Sequence, residues 1–355
     1  MATTPPITDP GWTRPERYSA VERFFLPMLQ DERDMIFIRT SLVISLTVIP
    51  VALCLFALPS LWVGLLAIPY LVLLITQLFG RYTLMLHATS HRRCFTRAHD
   101  RMNRWIPWVL GPFFGMTPTS FFVHHMGMHH PENNMEADES TTLCYQRDNI
   151  WHFLHYWARF FFFGDLHLSR YLLARNRRKL LRSLWIGELA WLALLAIALW
   201  INWAAALVVF VTPLLLMRFF MMSGNFAQHA FIDMEDPDNG FKNSTCLTNT
   251  PYNHKCYNDG YHAVHHVKAN LHWSDMPTWY EEHIDEFARQ DALVFNAVPN
   301  NQAVWFRLMT HDYGWLADRV VQFANPPRSR EETIAWLKAR TQGRRGRIKG
   351  LWALS

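Results

Sequence analysis

Two long apolar runs divide an otherwise polar chain. Residues 40–80 carry no charged side chain. As one straight helix that run would reach about 60 Å, twice the thickness of a bilayer's hydrocarbon core. Leu58-Pro59-Ser60 interrupts it near the middle. The pattern predicts two spans, 35–58 and 61–79, joined by a minimal turn. A second run, 184–222, has Glu188 and Arg218 near its ends and a turn at Ile201-Asn202-Trp203. It predicts spans at 184–200 and 203–222, each long enough to cross.

The remaining segments are polar. Residues 1–34 read as a proline-rich cytosolic arm with no signal-peptide pattern. Within the arm, 18–29 (Val21, Phe24, Phe25, Leu26) reads equally as a membrane-surface piece or an ordinary start to a domain. Residues 81–183 form a middle segment. Its stretch 105–122 is apolar but broken by Pro107, Pro112, Gly115 and Pro118, which predicts a re-entrant or interfacial piece. Residues 151–163 are aromatic and suit the interface. Residues 170–182 are basic (Arg175, Arg177, Arg178, Lys179), as suits a lipid-headgroup contact or a docking patch for an acidic electron donor. Residues 223–355 read as a soluble C-terminal segment whose tail, 340–349, is basic and poorly ordered. The expected segments are thus arm 1–34, hairpin 35–80, middle segment 81–183, hairpin 184–222 and C-terminal segment 223–355.

Composition agrees. Half of the residues are apolar and 15% are aromatic, yet mean hydropathy is close to zero. A few very apolar stretches joined by polar ones give that combination. The five cysteines form no C-x-x-C pair, so neither a disulfide framework nor a cysteine metal site is expected. All 34 Lys and Arg lie outside the two hairpin turns. By the positive-inside rule both termini and the middle segment face the cytosol. The eighteen histidines share that side, since none precedes His87 and none lies between His167 and His229.

Those histidines carry the candidate chemistry. Val123–Pro131 reads Val-His-His-Met-Gly-Met-His-His-Pro. His125 and His129 are four apart, which on an α-helix puts them on one face, with His130 at the edge of the same site. His87 and His91 repeat the spacing beyond the second span. Asn225 and His229 repeat it beyond the fourth, and His262, His265 and His266 form H-x-x-H-H. Imidazole is the ligand that iron, zinc and copper share. Nine histidines exceed what one ion takes and suit two. No carboxylate sits inside the boxes. Two irons held by neutral imidazole suit the activation of O₂ and attack on unactivated C–H bonds, and a membrane supplies acyl chains.

Other histidines read differently. His124 lies off the expected face. His152 and His155 sit among interfacial aromatics. His99, His167, His254, His272, His283 and His311 are isolated and read as structural. Glu132, Glu136, Asp138 and Glu139 read as a solvated loop, with orientation of imidazole N–H groups as the alternative. A b-type haem carrier would need facing histidines inside the spans, and a metal transporter would need polar groups near mid-membrane. The spans offer neither. No flavin, haem or iron–sulfur motif is present, so electrons must come from a partner. Nothing in the charge pattern suggests nucleic acid as a partner.

The order H-x-x-x-H, H-x-x-x-H-H, N-x-x-x-H, H-x-x-H-H after membrane hairpins resembles the membrane fatty acid desaturase and hydroxylase superfamily, in particular its bacterial desaturase-like members. The resemblance covers residues 87–266 and the preceding hairpin. It implies an all-α integral membrane fold: two transmembrane hairpins under a cytosolic helical cap that holds a di-iron site. It implies His87, His91, His125, His129, His130, His229, His262, His265 and His266 as ligands, with Asn225 approaching one iron through water. It further implies O₂ as co-substrate, a fatty acid or fatty acyl substrate, a lipid environment, and a ferredoxin- or rubredoxin-type donor with its reductase. A bacterial inner membrane is the expected location. The first two boxes have the spacing of alkane hydroxylases rather than that of many acyl-CoA desaturases. Desaturation comes first among the expected reactions, with oxidative decarboxylation to a terminal alkene and hydroxylation as alternatives.

Overall fold

The computed structural model describes residues 4–343. The chain is mostly helical, and four helices among the described residues are long and apolar enough to cross a membrane. They run Glu32–Ala57, Ser60–His91, Arg178–Ile201 and Trp203–Gln228. The hydropathy pattern located all four but understated three of them. The second continues through His87 to His91, the third begins at Arg178, and the fourth reaches Gln228. Hydropathy marks only the apolar part of a helix, whereas backbone hydrogen bonding carries the helix on into polar sequence.

The chain divides into two compact units. One contains Trp12–Gly127 and Leu172–Arg218. In it Asn202 donates from Nδ2 to the carbonyls of Phe56 (3.3 Å) and Leu58 (2.9 Å), so the turns of the two apolar runs meet. The stretch 105–122 is not a regular span. It winds as a π-helical turn Trp105–Leu110 and a 3₁₀ turn Gly111–Phe114, then breaks at Gly115 and Thr119, both with positive φ. Gly187 lets this segment approach the third spanning helix, because a Cβ there would lie 1.8 Å from the Pro118 carbonyl oxygen. The Thr117 hydroxyl donates to buried Glu188 one residue further on. Thr119 Oγ1 donates to the Ser183 carbonyl (2.8 Å). The short helix Ser120–His124 leads from this anchored turn to His125.

The other unit contains Met128–Tyr171 with the described parts of Met1–Gly11 and Phe219–Ser355. Its core includes apolar clusters centred on Phe231 and Leu308, on Tyr261 and Phe287, and on Tyr156 and Phe226. The all-α expectation needs one amendment. Cys246–Thr248 pairs in parallel with Val294–Asn296, Cys246 opposite Val294. Residues 4–11, expected as part of a cytosolic arm, belong to this unit, and Asp9 is buried in it. The basic tail begins differently from its expectation, because Arg340 ends the helix Arg330–Arg340 and is buried. Residues 344–349 of that tail lie outside the described residues.

Candidate metal centre

His129, His229, His262 and His266 converge in the second unit, with one ligand atom of each lying within 4.8 Å of the others. His229 directly follows the helix Thr212–Gln228, and His262 and His266 stand one turn apart on the helix His262–Val267. The Nε2 atoms of His229 and His262 are 3.2 Å apart, and those of His262 and His266 are 3.1 Å apart. The outer nitrogens are held from behind. His129 Nδ1 donates to Asp138 Oδ2 (2.6 Å), His229 Nδ1 to the Asn243 carbonyl (2.8 Å), and His266 Nδ1 to Asn133 Oδ1 (3.0 Å). Asp138 is itself fixed by the Ser140 amide and hydroxyl, both at 2.8 Å.

These outer bonds decide the chemistry of the inner atoms. A neutral imidazole that donates from Nδ1 carries a lone pair on Nε2. His129, His229 and His266 therefore turn acceptor Nε2 atoms inward, and those of His229 and His266 lie 3.2 and 3.1 Å from His262 Nε2, a set of convergent lone pairs that suits a cation. Nitrogens bound to a metal at about 2.0–2.1 Å stand roughly 3–4 Å apart around it. Burial, and next the neighbouring His129, push His229 down to about 3. Burial and the surrounding imidazoles hold His266 far below its usual range. Neutral imidazole is the form a metal needs. By donor type, convergence and backing, these four residues fit a metal ion.

The other five predicted ligands also meet other histidines within their own units. In the same unit His130 Nε2 lies 3.0 Å from His265 Nε2. In the first unit His91 Nε2 lies 2.8 Å from His125 Nε2, with the His87 ring centroid 4.6 Å from that of His125. The expectation that each box serves one site from one helical face is corrected. His125–His129 winds as a π-helical turn, and the histidines at its two ends enter different groups. His125 joins His87 and His91, while His129 joins His229, His262 and His266. Adjacent histidines also separate: His129 and His266 enter the four-histidine cluster while His130 pairs with His265. Neighbours on a helix point about 100° apart, so a His-His doublet feeds two places.

Asn225, one turn before His229, donates from Nδ2 to Tyr156 Oη (2.7 Å) and to the Ser140 carbonyl (3.3 Å). His124 enters neither cluster. His152 accepts the Gln146 amide, His155 meets Tyr145 Oη at 3.0 Å, and His99 meets Thr96 Oγ1 at 3.1 Å, so all three have local structural partners. The solvated-loop reading fails for two of its four acids. Asp138 backs His129, and buried Glu139 faces Arg159 (3.1 Å) and His167 (2.8 Å). Burial pushes the Glu139 carboxyl up, against the opposing effect of those two partners. Sequence reasoning also missed Asn133, Asn243 and Arg147. Fully buried Arg147 donates from Nε to the Ala230 carbonyl (2.8 Å), next to His229, whose own carbonyl accepts from Thr142 Oγ1 (2.7 Å). No local spacing signals these partners, which lie 14 to 133 residues from the histidines or neighbours they hold.

Four membrane-length apolar helices and a buried, backed histidine cluster define a membrane protein built around a histidine-rich site. The family model described as fatty acid desaturase matches residues 60–298, two thirds of the chain and every histidine of the clusters, and the chain belongs to that family. It is accordingly an oxidoreductase of the fatty acid desaturase and hydroxylase type, in a setting of fatty acyl substrate and membrane lipid. No curated protein and no solved structure matches the chain.

Proposed function

We propose that this chain is an O₂-dependent di-iron enzyme that desaturates a fatty acyl chain. The observation that carries the reading is the four-histidine cluster with its outer nitrogens bonded to Asp138, Asn243 and Asn133. His129, His229, His262 and His266 hold one iron; His87, His91, His125, His130 and His265 are ligands as well. Bound there, a pair of irons supplies the activation of O₂ needed to take hydrogen from an unactivated C–H bond. The protein's own part is to keep the imidazoles neutral and aimed. Burial keeps His229 neutral, and the Asp138 and Asn243 acceptors aim His129 and His229. With both Nδ2 hydrogens directed at Tyr156 and Ser140, Asn225 has Oδ1 left to accept from a metal-bound water.

Desaturation is the first reading because the family's description names it. Electrons come from a ferredoxin- or rubredoxin-type donor, and the active site and both termini face the cytosol of a bacterial inner membrane. The test is purification with iron analysis, followed by mass spectrometry of lipids and headspace gas from cells supplied with saturated fatty acids. About two irons per chain and an internal double bond are the expected result. A terminal alkene with release of CO₂ would move the assignment to decarboxylation, and an alcohol would move it to hydroxylation. Absence of bound iron would overturn the metal assignment.

A further inference from the structure

The helix His262–Val267 supplies His262, His265 and His266, yet it is only six residues long. So short a helix does not hold itself in water. Its N-cap residue, Tyr261, makes no side-chain capping bond to the helix. The Tyr261 carbonyl accepts the His265 amide (2.9 Å), so Tyr261 sets where the helix begins and how its histidines are aimed.

Tyr261 is held from far away in the sequence. Its phenol donates to Asp9 Oδ2 (2.7 Å). The same oxygen accepts the Asn249 amide (2.7 Å), and Asp9 Oδ1 accepts the Thr250 amide (3.2 Å). The residues before Tyr261 are pinned to the same place. Asn258 Nδ2 donates to the Pro10 carbonyl (2.8 Å), and the Thr8 amide donates to Asn249 Oδ1 (2.7 Å). Gly260 donates to Asn253 Oδ1 (2.9 Å), and a Cβ at Gly260 would lie 2.4 Å from that oxygen. Ile7 packs on the apolar cluster that contains Tyr261, Ala263 and Val264.

We propose that Asp9 is a positioning residue for the box His262, His265 and His266, and that residues 7–10 are a strap belonging to the metal-carrying unit. The role rests on the metal reading given above. Asp9 contributes through acceptor number rather than size. A carboxylate accepts all three donors, whereas an amide would turn an NH₂ toward at least one of them and leave a buried N–H or O–H unmatched.

The experiment compares wild type, Asp9→Asn, Tyr261→Phe and Leu337→Ala, as full chains in detergent. Two readouts are taken: cobalt(II) titration followed by its absorption bands, and amide hydrogen exchange of the metal-free proteins. Leu337 is a buried core residue of the same unit, remote in sequence from the box, and its truncation lowers stability generally. Asp9→Asn is expected to weaken cobalt binding about tenfold, as loss of backing to a ligand does, and to speed exchange locally across 258–267. Tyr261→Phe, which removes one bond, should give a smaller change in the same direction and tests the strap even where Asp9→Asn does not fold. Leu337→Ala should lower the melting temperature and leave cobalt affinity unchanged. Wild-type cobalt affinity and unchanged exchange at 258–267 in folded Asp9→Asn or Tyr261→Phe would overturn the proposal. So would an equal affinity loss in Leu337→Ala, which would make the effect one of general stability. If wild type itself takes up no cobalt, the metal reading fails, and the exchange data still decide whether Asp9 holds the helix.

Discussion

A histidine in this chain acquires its role from what stands behind it. His129 and His99 are the same residue type in polar sequence, yet His129 donates to a buried carboxylate and aims its other nitrogen at three imidazoles, whereas His99 meets the hydroxyl of Thr96. Replacing His229 or His262 with Ala is therefore expected to abolish activity and to lower bound metal sharply, while His99→Ala and His311→Ala retain it. Metal analysis of the four purified proteins checks this, and a fully metallated His262→Ala would remove that residue from the ligand set. Asp138→Asn is the finer test. Its oxygen can still accept from His129, but the charge is gone and its donor group faces Ser140. A loss of about 10–100-fold in metal affinity with the fold retained is expected, read by cobalt or iron titration.

At the scale of elements, helices here are positioned by close approaches as much as by apolar faces. The segment carrying Thr117, Pro118 and Thr119 lies against Gly187, and from it the chain enters the helix that precedes His125. Gly187→Ala forces a methyl onto the Pro118 carbonyl, and overpacking of that kind costs about 1–3 kcal/mol. A lower melting temperature in detergent is expected. Gly64, in the second spanning helix, has nothing within 4 Å of an added Cβ. Gly64→Ala should melt as wild type does or slightly higher, since Ala is the better helix former by about 1 kcal/mol. Equal behaviour of the two variants would show that the contact at Gly187 is not tight in the folded protein.

For the whole molecule the membrane sets the frame. The proposed orientation, argued from the charge distribution, has the termini on one side and the turns at Pro59 and Asn202 on the other. Asn202 bonds to the Phe56 and Leu58 carbonyls, so the two turns share a level within their unit. Reporter fusions at residues 60 and 202 are expected to report the same side, away from the cytosol, and a fusion at residue 355 the cytosol. Opposite reports from 60 and 202 would contradict the Asn202 contact. A cytosolic report from both would reverse the assigned orientation while leaving the contact intact.

Much of this was legible along the chain. Four apolar helices, a break near Pro59 and another near Asn202, and nine histidines in boxes were all readable, because hydrophobicity and ligand chemistry are properties of each residue and its near neighbours. The family match over 60–298 agrees with that reading. What the sequence could not determine is which histidines meet. His125 and His129 are four apart and part company, whereas His129 and His229 are a hundred apart and share a cluster. Spacing says which histidines share a stretch of helix, and not which distant segments pack against each of them. Asp138, which reads first as solvated, and Asp9, which reads as part of a cytosolic arm, are both buried acceptors. A carboxylate looks the same in sequence whether it faces water or a donor. Only packing brings the donor to it, and in Asp9's case that donor comes from some 250 residues away.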